Sequence, residues 1–192
     1  MSQYEERLER DLDHIRRTLA DLAEAVQTAL ESASLALFSG DRELAYGVCL
    51  ADHPINRASR ELDRICHGFI AVHLPSAGHL RFVSSVMRVN IELERIGDYA
   101  VTISRESAQL DGPAIDPTGG QLQQVSQEAR KLLSMAVAAF DDQDADAARA
   151  GMQAATVARQ RVGSCFASAV KDEENAPVAE LLYRVVVLNC FD

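Results

Sequence analysis

The sequence predicts an all-α fold built as two tandem three-helix bundles, with long helices and short loops. Three observations predict it. Apolar residues recur at alternating spacings of four and three along almost the whole chain. Alanine and leucine are plentiful, aromatic residues make up only 5% and tryptophan is absent. Most of the five prolines fall at interruptions of the pattern. Ala and Leu favour helix, and small side chains let helices approach closely.

The first helix carries Leu8, Leu12, Ile15, Leu19, Leu22, Val26, Leu30, Ala33 and Leu37. That series is a single buried seam. Ser39-Gly40-Asp41 ends it, with Gly40 at the C-cap and Asp41 as the next N-cap. The second helix carries Leu44, Val48, Ala51, Ile55, Ala58, Leu62, Ile65, Phe69 and Val72. Pro54 removes a donor and crowds the preceding turn. It predicts a kink near Asp52-His53 or, alternatively, a break with Asp52 capping a new helix. His73 to His79 contains Pro75, Ser76 and Gly78 and reads as a loop, and a third helix follows from Leu80 to Leu110.

The Pro/Gly-rich stretch Asp111 to Gly120 separates two units. The organisation expected is a first repeat over 1–111, a linker over 112–120 and a second repeat over 121–192. In the second repeat, helix four carries Leu122, Val125, Ala129, Leu132, Ala136, Ala139 and Phe140. An acidic turn follows at Asp141-Asp142-Gln143-Asp144. Helix five carries Ala148, Met152, Ala155, Ala158, Val162, Phe166 and Ala169, and helix six starts near Pro177 with Val178, Leu181, Val185 and Leu188. Without gaps, Leu80, Val83, Met87, Asn90 and Glu94 align with Val178, Leu181, Val185, Leu188 and Asp192. Asp192 falls mid-helix without a cap, so the natural chain is expected to continue for one or more turns.

The formal charge of −10 disfavours nucleic acid and anionic lipid as partners and suits cations or a basic protein surface; solubility alone also accounts for it. The densely charged stretch Met1 to Asp21 is no signal peptide, and no apolar run approaches the roughly 20 residues of a membrane span. Cys49, Cys66, Cys165 and Cys190 lie far apart in apolar-periodic stretches, which reads as buried free thiols in a reducing cytoplasm. Met87 and Met152 sit at core spacing. His14 reads as a surface residue, and His67, His73 and His79 share no ligand spacing with an acid. Asp141, Asp142, Asp144 and Asp146 lack the EF-hand pattern and read as a solvated turn supplying charge to a helix N-terminus.

Helix three carries the chemistry. At about 100° per residue, Val86, Val89, Leu93, Ile96, Ala100 and Ile103 form a core stripe. Leu80, Val83, Met87, Asn90, Glu94, Asp98 and Val101 form a second arc, and Arg88, Glu92, Arg95 and Tyr99 face solvent. Glu94 and Asp98 thus stand one turn apart on a mostly apolar face. Like charges at this spacing repel, and desolvation adds to the cost. A bound cation removes both penalties, and Asn90, one turn back, offers an amide oxygen. The other reading is a solvated pair with Arg88 or Arg95 as counter-charge.

The run Asn90-Ile91-Glu92-Leu93-Glu94-Arg95-Ile96-Gly97-Asp98-Tyr99-Ala100 resembles the signature of the PhoU family of phosphate-uptake regulators. That resemblance implies two three-helix repeats, each with an E/D-xxx-D motif on its third helix. It implies that Glu94 and Asp98 are ligands of an iron- or zinc-type cluster and that Asp192 opens the second motif, whose closing Asp is absent from this sequence. Gly97 is expected to leave room beside the carboxylates. The resemblance further implies a cytoplasmic regulator that is not an enzyme. It would dock to the ATPase side of a phosphate ABC transporter and to a sensor histidine kinase, with homodimerisation left open. A metal-free helical adaptor is the alternative. A di-iron or hydrolytic enzyme fits less well, because no inward Glu-x-x-His pair, nucleophile elbow or phosphate-cradling loop is present.

Overall fold

The computed structural model describes residues 3–110, 120–171, 187, 190 and 191. Five helices follow one another: α1 Gln3–Ser39, α2 Arg42–His73, α3 Ala77–Gln109, α4 Gln121–Asp141 and α5 Ala145–Lys171. No strand occurs among the described residues. None of the helices is long and apolar enough to cross a membrane. The expected sixth helix, its alignment onto helix three, and nearly all of the Pro/Gly stretch lie outside the described residues.

Helix α1 is the spine. Every residue of its expected seam, from Leu8 to Leu37, is buried. A chain of this length in one helix depends on that seam, because propensity alone stabilises little and each fully buried aliphatic side chain contributes about 1.5–3 kcal/mol. Gly40, at φ 72°, ends α1 and donates its N–H to the Ala36 carbonyl at 2.9 Å. Asp41 then caps α2, its Oδ1 accepting from Leu44 N at 3.0 Å.

Helix α2 runs unbroken through Pro54. The Leu50 carbonyl, which the proline cannot serve, belongs to a residue on the exposed face of the helix, 78% exposed. Asp52 is therefore an interior helical residue and not a cap. The buried face of α2 is Ala45, Val48, Ile55, Ser59, Leu62, Cys66, Phe69 and His73. This is a rotation of the expected seam: Ala51 and Val72 are exposed. Small and polar residues take core positions here because neighbouring helices approach closely at them.

The loop to α3 is shorter than the sequence suggested. Only Leu74, Pro75 and Ser76 lie outside helix, and Leu74 turns the chain in the left-handed conformation at φ 43°. His73 closes α2 with a buried ring. Its Nε2 lies 2.7 Å from Asp11 Oδ2, and the Tyr4 hydroxyl donates to its carbonyl at 2.5 Å. These contacts tie the start of α1 to the end of α2.

Helices α1, α2 and α3 pack pairwise around one core, and α4 lies along α1. Leu122 and Val125 of α4 join that core. The Ser126 hydroxyl donates to Ser34 Oγ at 2.9 Å in a buried contact, and Arg130 pairs with Glu31. Helix α5 packs on α4, and Asp144 caps it by accepting from Asp146 N and Ala147 N at 2.8 and 2.9 Å. The acidic turn is thus a capping device. Met152, expected in the core, is 72% exposed, because among the described helices only α4 covers α5.

Helix α3 comes close to α2 and α1 at Gly97. A Cβ built there would lie 3.3 Å from Ile55 Cγ2 and 4.0 Å from Val26 Cγ2. By contrast, nothing stands within 4 Å of a Cβ at Gly47. Gly97→Val is expected to cost about 1–3 kcal/mol through overpacking, whereas Gly47→Ala in the same bundle gains up to about 1 kcal/mol from helix propensity. Urea unfolding of the two variants checks the opposite signs.

Candidate metal-binding seam

Antiparallel helices that touch at known points fix which residues stand level with one another. Asn90 Nδ2 donates to the Ser59 carbonyl at 3.0 Å, and Gly97 abuts Ile55. With a rise of about 1.5 Å per residue, these two contacts set Glu94 level with Asn56, and Asp98 level with Asp52.

The buried face of α3 comprises Val83, Val86, Asn90, Leu93, Gly97, Ala100, Val101, Ile103, Ser104 and Ser107. It draws on both arcs read from the sequence. The arcs are two flanks of one contact surface centred on Gly97, because α3 is covered by α2 on one flank and by α1 on the other. Arg88, Glu92 and Arg95 face solvent as expected, and Tyr99 is half-buried.

Along the α2 flank, burial falls step by step. Asn90 is 4% exposed, Glu94 half-buried and Asp98 exposed. Asp192 lies outside the described residues. Glu94 is therefore partly shielded from water and Asp98 is not. Neither arginine neutralises the pair: Arg95 bonds Glu92 Oε2 at 2.9 Å and Tyr99 Oη at 3.3 Å. The Tyr99 and Glu92 contacts raise the Arg95 pKa, holding its guanidinium charged. Gly97 serves a different end from the one expected, since its missing side chain admits Ile55 and not a ligand.

Three buried oxygens in this region have no hydrogen-bond partner: Asn90 Oδ1, Asn56 Oδ1 and Asp52 Oδ1. Each of the two amides donates one N–H, Asn90 Nδ2 to the Ser59 carbonyl and Asn56 Nδ2 to Asp52 Oδ2, both at 3.0 Å. Buried acceptors without donors are costly, so this set fits a cation that prefers oxygen. It fits ferric iron better than zinc, whose sites draw on histidine and thiolate. The thiols add nothing here. Burial pushes Cys66 up to about 12 and Cys190 up to about 11, so both stay protonated at neutral pH. Among the described residues, no three His, Cys, Asp or Glu side chains converge closely enough to hold an ion.

Sequence reasoning singled out Asn90, Glu94 and Asp98 but passed over Asp52 and Asn56. Their i,i+4 spacing was the available signal, and Pro54 between them drew attention to backbone geometry instead. On the other side of α3 a cleft of about 1190 Å³ opens toward α4 and α5, bordered by Arg95, Tyr99, Phe140 and Met152.

The chain matches the PhoU domain over residues 19–107, from mid-α1 to the end of α3. It is 32% identical over 139 residues to the phosphate-specific transport system accessory protein PhoU homolog of Pseudomonas putida, an alignment covering 72% of this chain and 54% of that protein. The chain thus spans about half the length of that relative. Its fold matches the crystal structure of PhoU from Pseudomonas aeruginosa with a TM-score of 0.90 and 26% identity, covering 95% of this chain and 89% of the other. The phosphate transport system regulatory protein PhoU from Streptococcus pneumoniae matches at 0.85 and 24%, covering 98% and 88%.

Asn90 anchors the seam through its single bond to Ser59. Asn90→Ala is expected to lower stability by about 1–3 kcal/mol, the scale of a buried hydrogen bond lost together with its packing. Chemical denaturation of the metal-free protein reads it.

Proposed function

The chain belongs to the PhoU family, and on that premise we propose that it is a regulatory accessory protein of phosphate uptake that carries a metal ion on its third helix. The observation that carries this reading is the coincidence of two things. The PhoU-domain match runs from mid-α1 to the end of α3, and the relatives the chain resembles are phosphate-specific transport accessory proteins. Within that span, Glu94 and Asp98 stand one turn apart on the flank of α3 that faces α2.

In this reading Glu94 and Asp98 hold the ion, with the Asn90 amide oxygen behind them and Asp192 opening a second acidic motif. The ion is iron or another oxygen-preferring cation; zinc, from the same family expectation, finds fewer suitable donors. When bound, it neutralises two carboxylates that otherwise repel across one helical turn. The protein acts in the cytoplasm by docking to the ATPase side of a phosphate ABC transporter and to its sensor kinase, restraining uptake and starvation signalling. No catalytic step is assigned to any residue. The acidic surface, at −10 overall, makes basic partner surfaces the natural docking ground, and association is salt-sensitive for that reason. A homodimer is compatible with this role.

A metal-free adaptor is the competing reading, and the exposure of Asp98 is the observation in its favour. Metal analysis of the protein purified without chelator separates the two. The expected result is bound metal in the parent protein and its loss in the Glu94→Ala/Asp98→Ala double variant. Bound metal should also raise the melting temperature, with EDTA reversing the rise, since a ligand selective for the folded state stabilises it. Equal metal content in parent and double variant would remove these two residues as ligands.

A further inference from the structure

We propose that the groove between α1 and α2, on the side of that pair away from α3, docks an α-helix of a partner protein. That helix is apolar along one face and carries lysine or arginine opposite Asp21 and Glu24. The inference is independent of any ion at Glu94 and Asp98 and goes beyond that reading.

The groove holds about 490 Å³ and, among the described residues, is lined by α1 and α2 alone. On α2, Gly47, Ala51 and Pro54 border it and lie within about 60° of one another round the helix. Ser59, which meets Asn90 of α3, lies about 120° round from Gly47, so the groove is on a different side from the α3 contact. On α1, Asp21 and Thr28 border the groove, and Leu35 continues their stripe, since residues seven apart fall within about 20° of one another. From Asp21 to Ser32 the groove runs for about 17 Å, three turns of a docked helix.

The folding of this chain does not account for the α2 side of the groove. Gly47 sits mid-helix, where glycine is a poor choice. It has no left-handed backbone to serve, and nothing lies within 4 Å of a Cβ built on it. One turn and three residues on, Pro54 leaves the Leu50 carbonyl without a helical donor. Two helix-weakening residues thus fall on one stripe, with Ala51 between them. Together they leave a shallow trough where a neighbouring helix can approach closely.

Apolar side chains stand beside that trough with nothing over them. Leu35, Tyr46 and Leu50 are 59%, 58% and 78% exposed. Val26 and Ile55 both pack against Gly97, and this antiparallel register sets Leu35 level with Tyr46. Leu50 lies about 60° round from Gly47 and about 40° from Pro54, on the rim. One end of the groove is therefore apolar. The other end carries Asp21 and Glu24, and no basic side chain lines the groove anywhere. A trough of small residues with apolar anchors along it is the arrangement that receives an amphipathic helix. Its acidic end selects a basic occupant. Anionic lipid is repelled by the same two carboxylates. A second copy of this chain would bring the same acids and no base from its own groove.

The test uses the full chain and a fluorescein-labelled model helix of about 18 residues, with leucine and alanine along one face and lysine along the other. Fluorescence anisotropy reads binding, and a scrambled peptide of the same composition is the control. The parent protein should bind the model helix about tenfold or more tightly than the control. Asp21→Lys/Glu24→Lys and Leu50→Glu should each weaken binding about tenfold or more. Gly47→Leu should melt at or above the parent, because its side chain enters open space and leucine favours helix, yet it should lose the peptide. Charge reversal at the remote acidic turn, Asp141→Lys/Asp142→Lys, should leave affinity within about threefold of the parent at physiological salt.

Equal loss from the remote pair would mean that the overall charge of −10 attracts the peptide, and the groove is overturned. The proposal also falls if the parent does not distinguish the helix from its control, or if folded Gly47→Leu or Leu50→Glu binds like the parent. Should Gly47→Leu fail to fold, Leu50→Glu decides alone, since its side chain is exposed. If sedimentation shows parent chains associating and Gly47→Leu separating them, the occupant is a second copy and the partner helix is overturned.

Discussion

The close approach of α3 to α2 and α1 at Gly97 is the constraint from which the site follows. With only hydrogen in place of a side chain, α3 settles against Ile55 and Val26. That contact fixes both the separation of the helices and their register. On both sides of it, the register decides which polar groups of α2 stand opposite Asn90, Glu94 and Asp98. A bulkier residue at this position would push the helices apart and separate the two sides of the seam without touching Asn90 or Glu94. The glycine is thus a positioning residue, although it neighbours Asp98 in sequence.

Burial along the seam is graded, and the grading has a physical logic. Asn90 is nearest the core and is neutral, which makes its burial affordable once its donor is bonded to Ser59. Glu94, one turn outward, is half-buried and charged, and Asp98, a further turn outward, is in water. A fully buried pair of carboxylates would demand a counter-charge at all times. A pair that starts at the surface tolerates an empty state and still gains when a cation arrives. The seam lies beside, and not within, the hydrophobic core shared by α1, α2 and α3.

Much of this architecture was legible in the residues. The α1 seam was readable residue by residue, since a strict four-three repeat leaves one way to bury it. The capping of α2 by Asp41 followed from a short polar side chain at a helix start, whereas the acidic turn before α5 was read only as a source of charge and its cap, Asp144, was not singled out. Legibility failed where small residues took the core. Ala45, Ser59 and Cys66 line the buried face of α2 while Ala51 and Val72 are exposed, because periodicity counts apolar character and not how closely a neighbouring helix comes. The same blindness split the face of α3 into two arcs. On the site itself, the spacing of Asn90, Glu94 and Asp98 was evident within one helix. The pairing with Asp52 and Asn56 was not, because antiparallel register is a tertiary fact that no single helix encodes. His73 was hidden in a similar way: it reads as a loop residue beside Pro75, yet its ring is buried against Asp11 from the opposite end of the sequence pattern.

One helix therefore separates two environments. The α2 flank of α3 is narrow and rich in acceptors, while its other side borders the cleft with α4 and α5 through Arg95, Tyr99 and Ile96. Any change in the spacing of α3 from α2 must also change that cleft, because a helix interior is stiff and moves as a unit. An ion drawing the seam together and a partner engaging the cleft would then bias the same rigid element from opposite sides. The coupling between them is limited by how differently each binds the two positions of α3.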